Sequence, residues 1–236
     1  MINSRDNKQI KWLFKLQKKK YRDASKTFLI YGDQIINEAK KAGCELELYT
    51  SNPNKEGTLI SDTLMKELSL TQTPFDTLAI TKQVETHSFS NRILMLDEIQ
   101  DPGNLGTLIR TAAGFGFKTV ISSMNTVDYY NDKTIRATQG TLFNMNLVNL
   151  NLADILEKLK EDDYQILMSV VKGAENIKDV KIKDKVVLVL GNEGSGISKN
   201  ILHYADKLVT VETKGIESLN VSIAGGILMY EVSKHD

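Results

Sequence analysis

The sequence predicts an α/β protein in two parts: a small α/β unit, then a larger parallel sheet with helices on both faces. Three observations carry this expectation. Beyond residue 92, short runs that are apolar throughout, such as "ILMLDEI", "YQILMSVV" and "KVVLVL", alternate with stretches of helical periodicity. Three turns bearing glycine or asparagine follow predicted strands, the place where open α/β sheets bind ligands. Residues 82–92, "KQVETHSFSNR", are polar and unpatterned. They read as a linker between a domain over 1–85 and a domain over 86–236.

The first 26 residues carry nine lysines and arginines, including Arg5, Lys8, Lys11, Lys18, Lys19, Lys20 and Arg22, against two aspartates. The whole chain has a net charge of zero, so a basic leader precedes an acidic body. It is either a footprint for nucleic acid or the solvated face of an amphipathic helix whose apolar stripe is Ile10, Leu13, Phe14 and Leu16. Charge alone leaves both open. "TFLIYG" then reads as a strand closing in Gly32. "DQIINEAKKAG" reads as a helix, with Asp33 as N-cap, Ile35, Ile36 and Ala39 as the buried side and Gly43 as the stop. "ELELYT" is a strand, "TLISDTLMKELSL" a helix and "TPFDTLAIT" a strand.

After the linker, "ILMLDEI" is a buried strand and "NLGTLIRTAAGFG" a helix. "TVISS", a helix around 133–138, the strand "NLVNL" and the amphipathic helix "ADILEKLKEDD" follow. The strands "YQILMSVV", "KVVLVL" and "KLVTVE" lead to a closing helix over 218–233. No apolar run approaches the roughly 18 residues of a membrane span, and the first residues lack a signal peptide's apolar core. The single cysteine, Cys44, cannot form an internal disulfide, and His87, His203 and His235 have no ligand spacing. The expectation is a cytoplasmic protein with no metal site.

Chemistry concentrates in the three turns. In "DEIQDPGNLGTLIR", Pro102 and Gly103 make a turn and Asn104 is placed to cap the next helix. Arg110, six residues on, lies off that face. It projects toward a phosphate or a neighbouring subunit, or is a plain surface arginine. In "LGNEGSGIS", Gly191, Gly196 and Ser198 have the spacing of a phosphate-binding P-loop, but Ile197 replaces its lysine and Glu193 would repel phosphate oxygens. Such a loop suits a ligand of cationic character that bonds to backbone groups. The alternative is a tight strand-to-helix turn capped by Ser198. In "ETKGIESLNVS", Ser218 and Asn220 stand where a helix begins. The Ala224, Gly225 and Gly226 behind them include two glycines, each about 1 kcal/mol poorer than alanine in a helix, which implies close backbone packing in a core or dimer interface.

In combination these segments resemble the SpoU/TrmH family of RNA ribose 2′-O-methyltransferases, within the SPOUT superfamily. "DEIQDPGNLGTLIRTAAGFGF" resembles the family's first motif, "LVLGNEGSGIS" the second and "ESLNVSIAGGILMYE" the third; "IRATQGTLF" resembles the segment between motifs one and two. Residues 3–39 resemble the small substrate-binding domain that many members carry. The resemblance implies a catalytic domain tied in a trefoil knot, S-adenosylmethionine bound in the knot, and a site completed across a homodimer. It implies methyl transfer to RNA, with ribosomal RNA of the large subunit favoured. A transfer-RNA methyltransferase and a non-catalytic knotted RNA-binding or ribosome-assembly protein are the alternatives.

Carried over by position, the resemblance implies catalytic roles for Asn104, Arg110, Glu193, Ser218 and Asn220. It implies cofactor contacts at Leu190, Gly191, Asn192, Gly196, Val211, Leu219 and Asn220. Arg110 and Arg136 join the basic leader as RNA-binding residues. Two departures stand out: "VETKGIESLN" lacks the family's proline and is one residue shorter, and Tyr31 occupies a position where an acid is typical.

Overall fold

The computed structural model describes residues 1–71, 73–85 and 87–234; His235 and linker residue 86 lie outside the described residues. Along the chain the first elements are α1 (Lys8–Leu16), α2 (Lys19–Ser25), β1 (Thr27–Tyr31), α3 (Asp33–Lys41), β2 (Glu47–Thr50), β3 (Thr58–Leu59), α4 (Asp62–Leu68) and β4 (Thr77–Lys82). Then come β5 (Arg92–Leu96), α5 (Pro102–Gly114), β6 (Thr119–Ser122), α6 (Asp132–Thr138), β7 (Asn146–Asn149), α7 (Leu152–Glu161) and β8 (Gln165–Ser169). The chain closes with β9 (Glu175–Asn176), β10 (Val186–Leu190), β11 (Lys207–Thr210) and α8 (Val221–Ser233). It divides into two compact units, Met1–Val84 with Tyr130–Phe143, and Glu85–Tyr129 with Asn144–Asp236.

In the first unit, two helices replace the single one expected over the basic leader. Lys18 between them is extended, with ψ 130°. Arg22 bends back to donate to the carbonyls of Leu16 and Gln17, at 2.9 and 2.8 Å. A helix end leaves such carbonyls unpaired, so α2 caps α1. Ile10, Leu13 and Leu16 are buried, while Phe14 is half-buried with the Arg5 guanidinium 4.5 Å above its ring. The sheet has the order β1-β4-β2-β3, with β4 antiparallel to β1 and β2, and β3 parallel to β2.

Three local expectations are corrected here. Gly32, at φ 82°, is the N-cap of α3 and Asp33 is its first helical residue. A Cβ at Gly32 would meet the Phe75 ring at 2.8 Å, so the left-handed turn and the close ring select glycine together. Thr58 and Leu59, read as helix, pair with β2, and α4 starts only after the Ser61 cap. Residues 130–143, counted by sequence with the larger domain, pack in the first unit. The rings of Tyr130 and Phe143 lie 4.5 and 6.3 Å from that of Phe28, and Gln34 donates to Gln139 at 2.7 Å. Tyr31 is buried and donates to the Leu68 carbonyl at 3.2 Å; burial pushes its phenol well above the ordinary tyrosine range.

The second unit is a seven-stranded sheet of order β7-β6-β5-β10-β8-β11-β9, parallel at every pairing. The chain runs outward through β5, β6 and β7, then resumes at β8 on the other side of β5 and later fills the gap with β10. β5 and β10 therefore lie side by side where the winding reverses, and their carboxyl ends open the crevice that binds ligands in such sheets. All five residues of β10 are buried, which explains its unbroken apolar run. α8 packs on α5 so closely that a Cβ at Gly225 would come 2.6 Å from the Leu108 and Leu190 side chains. This is the close approach that the glycine run in α8 predicts. Among the described residues, no helix is long and apolar enough to cross a membrane.

Candidate active site at the carboxyl ends of β5 and β10

Beyond β10 the chain closes on itself. Asn192 and Gly196 exchange backbone hydrogen bonds, both at 3.0 Å, and Gly196 sits at φ 72°. The Asn192 Oδ1 accepts from the N–H groups of Gly194 and Ser195, at 2.8 and 3.0 Å. The Ser198 N–H donates to the Asp97 carboxylate at 2.8 Å. A P-loop holds phosphate with amides that point into an empty nest; here the amides of Gly194, Ser195, Gly196 and Ser198 are all consumed internally. Ile197, at the position of a P-loop lysine, is 7% exposed and plugs the core beside Val189 and Ile201. The helical turn that follows, a 3-10 turn over Leu202–Tyr204, has Ile201 as its N-cap, so Ser198 is not an N-cap.

Asn104 does not cap α5 either. Asp101 does, accepting from the Asn104 N–H at 2.8 Å, with Pro102 behind it in the first turn. That frees the Asn104 side chain, which donates to Glu193 Oε1 at 3.0 Å and accepts from Asn220 Nδ2 at 3.1 Å. Asn220 caps α8, its Oδ1 accepting from the Ser222 N–H at 2.9 Å. The capping role commits that oxygen, so Asn220 can only donate onward. Asn104 must then accept with its oxygen and donate with its nitrogen, and the carboxylate of Glu193 ends the relay as a pure acceptor. One chain of hydrogen bonds thus joins all three turns.

The relay borders a cleft of about 880 Å³, within the range of small-molecule sites. Leu190, Gly191, Asn192, Gly196, Val211, Leu219 and Asn220 all line it, as do Glu193 and Ser218. Asn104 adjoins it through its two partners. Arg110 is exposed on α5 away from the cleft lining, and makes no hydrogen bond or ion pair with the described residues. Lys172 and Glu217, which sequence reasoning did not single out, face each other at 2.7 Å across the cleft wall. Their mutual hydrogen bond and charges hold the Lys172 amine above, and the Glu217 carboxyl below, their ordinary ranges. Nothing in the local sequence pairs residues 45 apart. Among the described residues there is no group of three or more His, Cys, Asp or Glu that could hold a metal.

The basic residues of the first unit fall into two sets. Arg5, Lys8, Lys11, Lys18, Lys19 and Lys20 are exposed; Lys11 pairs with Asp6 and Lys19 with Asp23, both at 2.7 Å, and Arg5 with Glu67 at 3.6 Å. Arg22 is 6% exposed and turned inward onto helix carbonyls, so it is a structural arginine and not an RNA contact. Arg136 is half-buried and held by Asp132 through Nε and Nη2, at 2.9 and 2.8 Å.

Residues 91–230 match the model of the SpoU rRNA Methylase family, and residues 7–79 match an MRM3-like substrate binding domain. A curated relative, the 23S rRNA (guanosine(2553)-2′-O)-methyltransferase RlmP of Bacillus subtilis, is 30% identical over 98% of this chain and 98% of its own length. The crystal structure of an AdoMet-bound rRNA methyltransferase from Sinorhizobium meliloti superposes with a TM-score of 0.87 at 25% identity, covering 99% of this chain and 97% of that one. A second structure, of an RNA 2′-O ribose methyltransferase, gives 0.84 at 27% identity over 99% and 98%.

Proposed function

The chain belongs to the SpoU rRNA methylase family, and we propose that it methylates a ribose 2′-hydroxyl of large-subunit ribosomal RNA with S-adenosylmethionine as methyl donor. The observation that carries this reading is the relay Asn220–Asn104–Glu193, which ties the three motif segments together at the edge of one cleft. The full-length likeness to a 23S rRNA enzyme and the match to a substrate-binding domain favour ribosomal over transfer RNA. The same reading carries the trefoil knot, a cytoplasmic site of action and a homodimer.

The cleft suits the donor. When bound, S-adenosylmethionine supplies a methyl group on a positively charged sulfur. The β10 loop offers no amide nest for an anion, and Glu193, bonded to the neutral Asn104 amide, sets a carboxylate on the cleft wall, which favours a ligand with cationic groups. Leu190, Gly191, Asn192, Gly196, Val211, Leu219 and Asn220 are the residues that would hold it, largely through backbone. Glu193, Ser218 and Asn220 shape the pocket, with Asn104 locking Glu193 in place. Arg110 is permanently charged and so a poor proton acceptor. Its guanidinium, exposed away from the cleft of its own chain, instead serves the site completed across the homodimer, where it fixes the phosphate beside the target ribose and stabilises the alkoxide that develops on the attacking oxygen.

Calorimetric titration with S-adenosylmethionine, followed by tritium transfer into unmodified ribosomal RNA, tests the assignment. Binding with transfer is expected; binding with no transfer to any RNA would select the non-catalytic alternative. Arg110→Ala and Arg110→Lys should each cut transfer by roughly a hundredfold, the scale of losing one transition-state donor, with cofactor binding unchanged. Intact transfer in both would remove Arg110 from the mechanism.

A further inference from the structure

We infer that Asp97 is a positioning residue that holds the β10 loop in its cofactor-binding form, an inference that rests on the cofactor reading above. Asp97 directly follows β5 and is 4% exposed. Its own N–H donates to the Leu190 carbonyl at 2.9 Å, where the loop begins. Its carboxylate accepts from the Ser198 N–H at 2.8 Å, where the loop ends. A single residue of the first motif therefore grips both ends of the second, the farther one 101 positions away.

Its neighbour adds a third grip. Glu98 is one of four described non-glycine residues with positive φ, at 57°, a conformation that persists only where surrounding contacts enforce it. In that conformation its carbonyl accepts from Asn192 Nδ2 at 2.8 Å and from Gln100 Nε2 at 3.0 Å, and its N–H donates to Ser123 Oγ at 2.9 Å. Holding the Asn192 nitrogen on Glu98 aims the Asn192 oxygen at the amides of Gly194 and Ser195. The loop from Glu193 to Gly196 is exposed, and its shape depends on these grips together with the Asn192–Gly196 backbone pair and the Asn104 bond to Glu193. Among the described residues no cation pairs with Asp97, so the Ser198 amide is the partner that satisfies its buried carboxylate.

The test compares Asp97→Leu with Asp97→Asn, measuring the dissociation constant of S-adenosylmethionine by calorimetry well below the unfolding temperature and RNA affinity by filter binding. Leucine orphans the Ser198 amide, so the cofactor constant should rise roughly tenfold, with RNA affinity unchanged. Asparagine retains an acceptor oxygen and should stay within about threefold of wild type. If the leucine variant does not fold, Asp97→Ser, whose hydroxyl falls short of the amide, replaces it with the same expectation. The inference is overturned if folded leucine or serine protein binds the cofactor as wild type does, or if asparagine is as damaging as leucine. Wild-type protein that binds no S-adenosylmethionine would overturn the cofactor reading itself, which is visible before any variant is made.

Discussion

Asn104 was legible as important and misread in role. A residue of the Ser, Thr, Asn and Asp class just after a Pro-Gly turn is a good cap, yet Asp101 takes that position and leaves the Asn104 amide to link Glu193 with Asn220. The same competition misled the reading of Arg22: a lysine-rich run hides which cation turns inward, and only the carbonyls ending α1 single it out. Asn104→Asp is the sharpest test of the relay. It removes the donor to Glu193 and sets two carboxylates within hydrogen-bond distance, where like charges repel. The backbone bond to Asp101 is untouched, so the fold should persist while methyl transfer falls by roughly a hundredfold, read by tritium incorporation beside an unchanged thermal melt.

At the scale of elements, the β10 strand and its loop were the most readable part of the chain. An unbroken run of five β-branched and leucine residues bounded by a glycine turn reads as a strand buried on both faces, and Glu193 with Ile197 argues against phosphate from the sequence alone. What closes the loop was not readable, because Asp97 and Glu98 reach it from nearly a hundred residues away. Gly191 carries the steric part of that closure: a Cβ there would fall 2.3 Å from the Gly196 carbonyl carbon and the Ile197 nitrogen. These are backbone atoms, which cannot swing aside as a side-chain end does. Gly191→Ala should therefore destabilise the second unit by about 1–3 kcal/mol and abolish cofactor binding, measured by thermal melting and calorimetry. The strand spared and the loop lost would appear as a lower melting temperature in a protein that still folds.

For the whole molecule, α8 poses the question of assembly. Gly225, Leu228, Met229 and Val232 face the core, but Ile223 and Tyr230, seven residues apart, remain 56% and 48% exposed. A helix that is apolar on all sides is one that is covered on all sides, and the occupant that fits the proposed family assembly is a second copy of this chain. Ile223→Glu combined with Tyr230→Glu should convert the proposed dimer to a folded monomer in sedimentation, with methyl transfer lost as the shared site comes apart. A monomeric wild type, or a variant that stays dimeric, would move the interface elsewhere.

By itself the sequence determined the α/β class, the order of nearly every element, the family and part of the cleft lining. These depend on local patterns: apolar runs for buried strands, periodicity for helices, and motif residues that stand close together in the chain. Only the tertiary structure decided that residues 130–143 pack with the first unit through Phe28, that Arg22 is structural, and that Asp101 rather than Asn104 caps α5. It alone joined Asn104, Glu193 and Asn220 in one hydrogen-bonded set and set the Asp97 carboxylate on the Ser198 amide. The physical reason is that a polar group's role is set by which partner it meets, and in this winding the partners of β5 arrive from β10 and α8, about a hundred residues later in the chain.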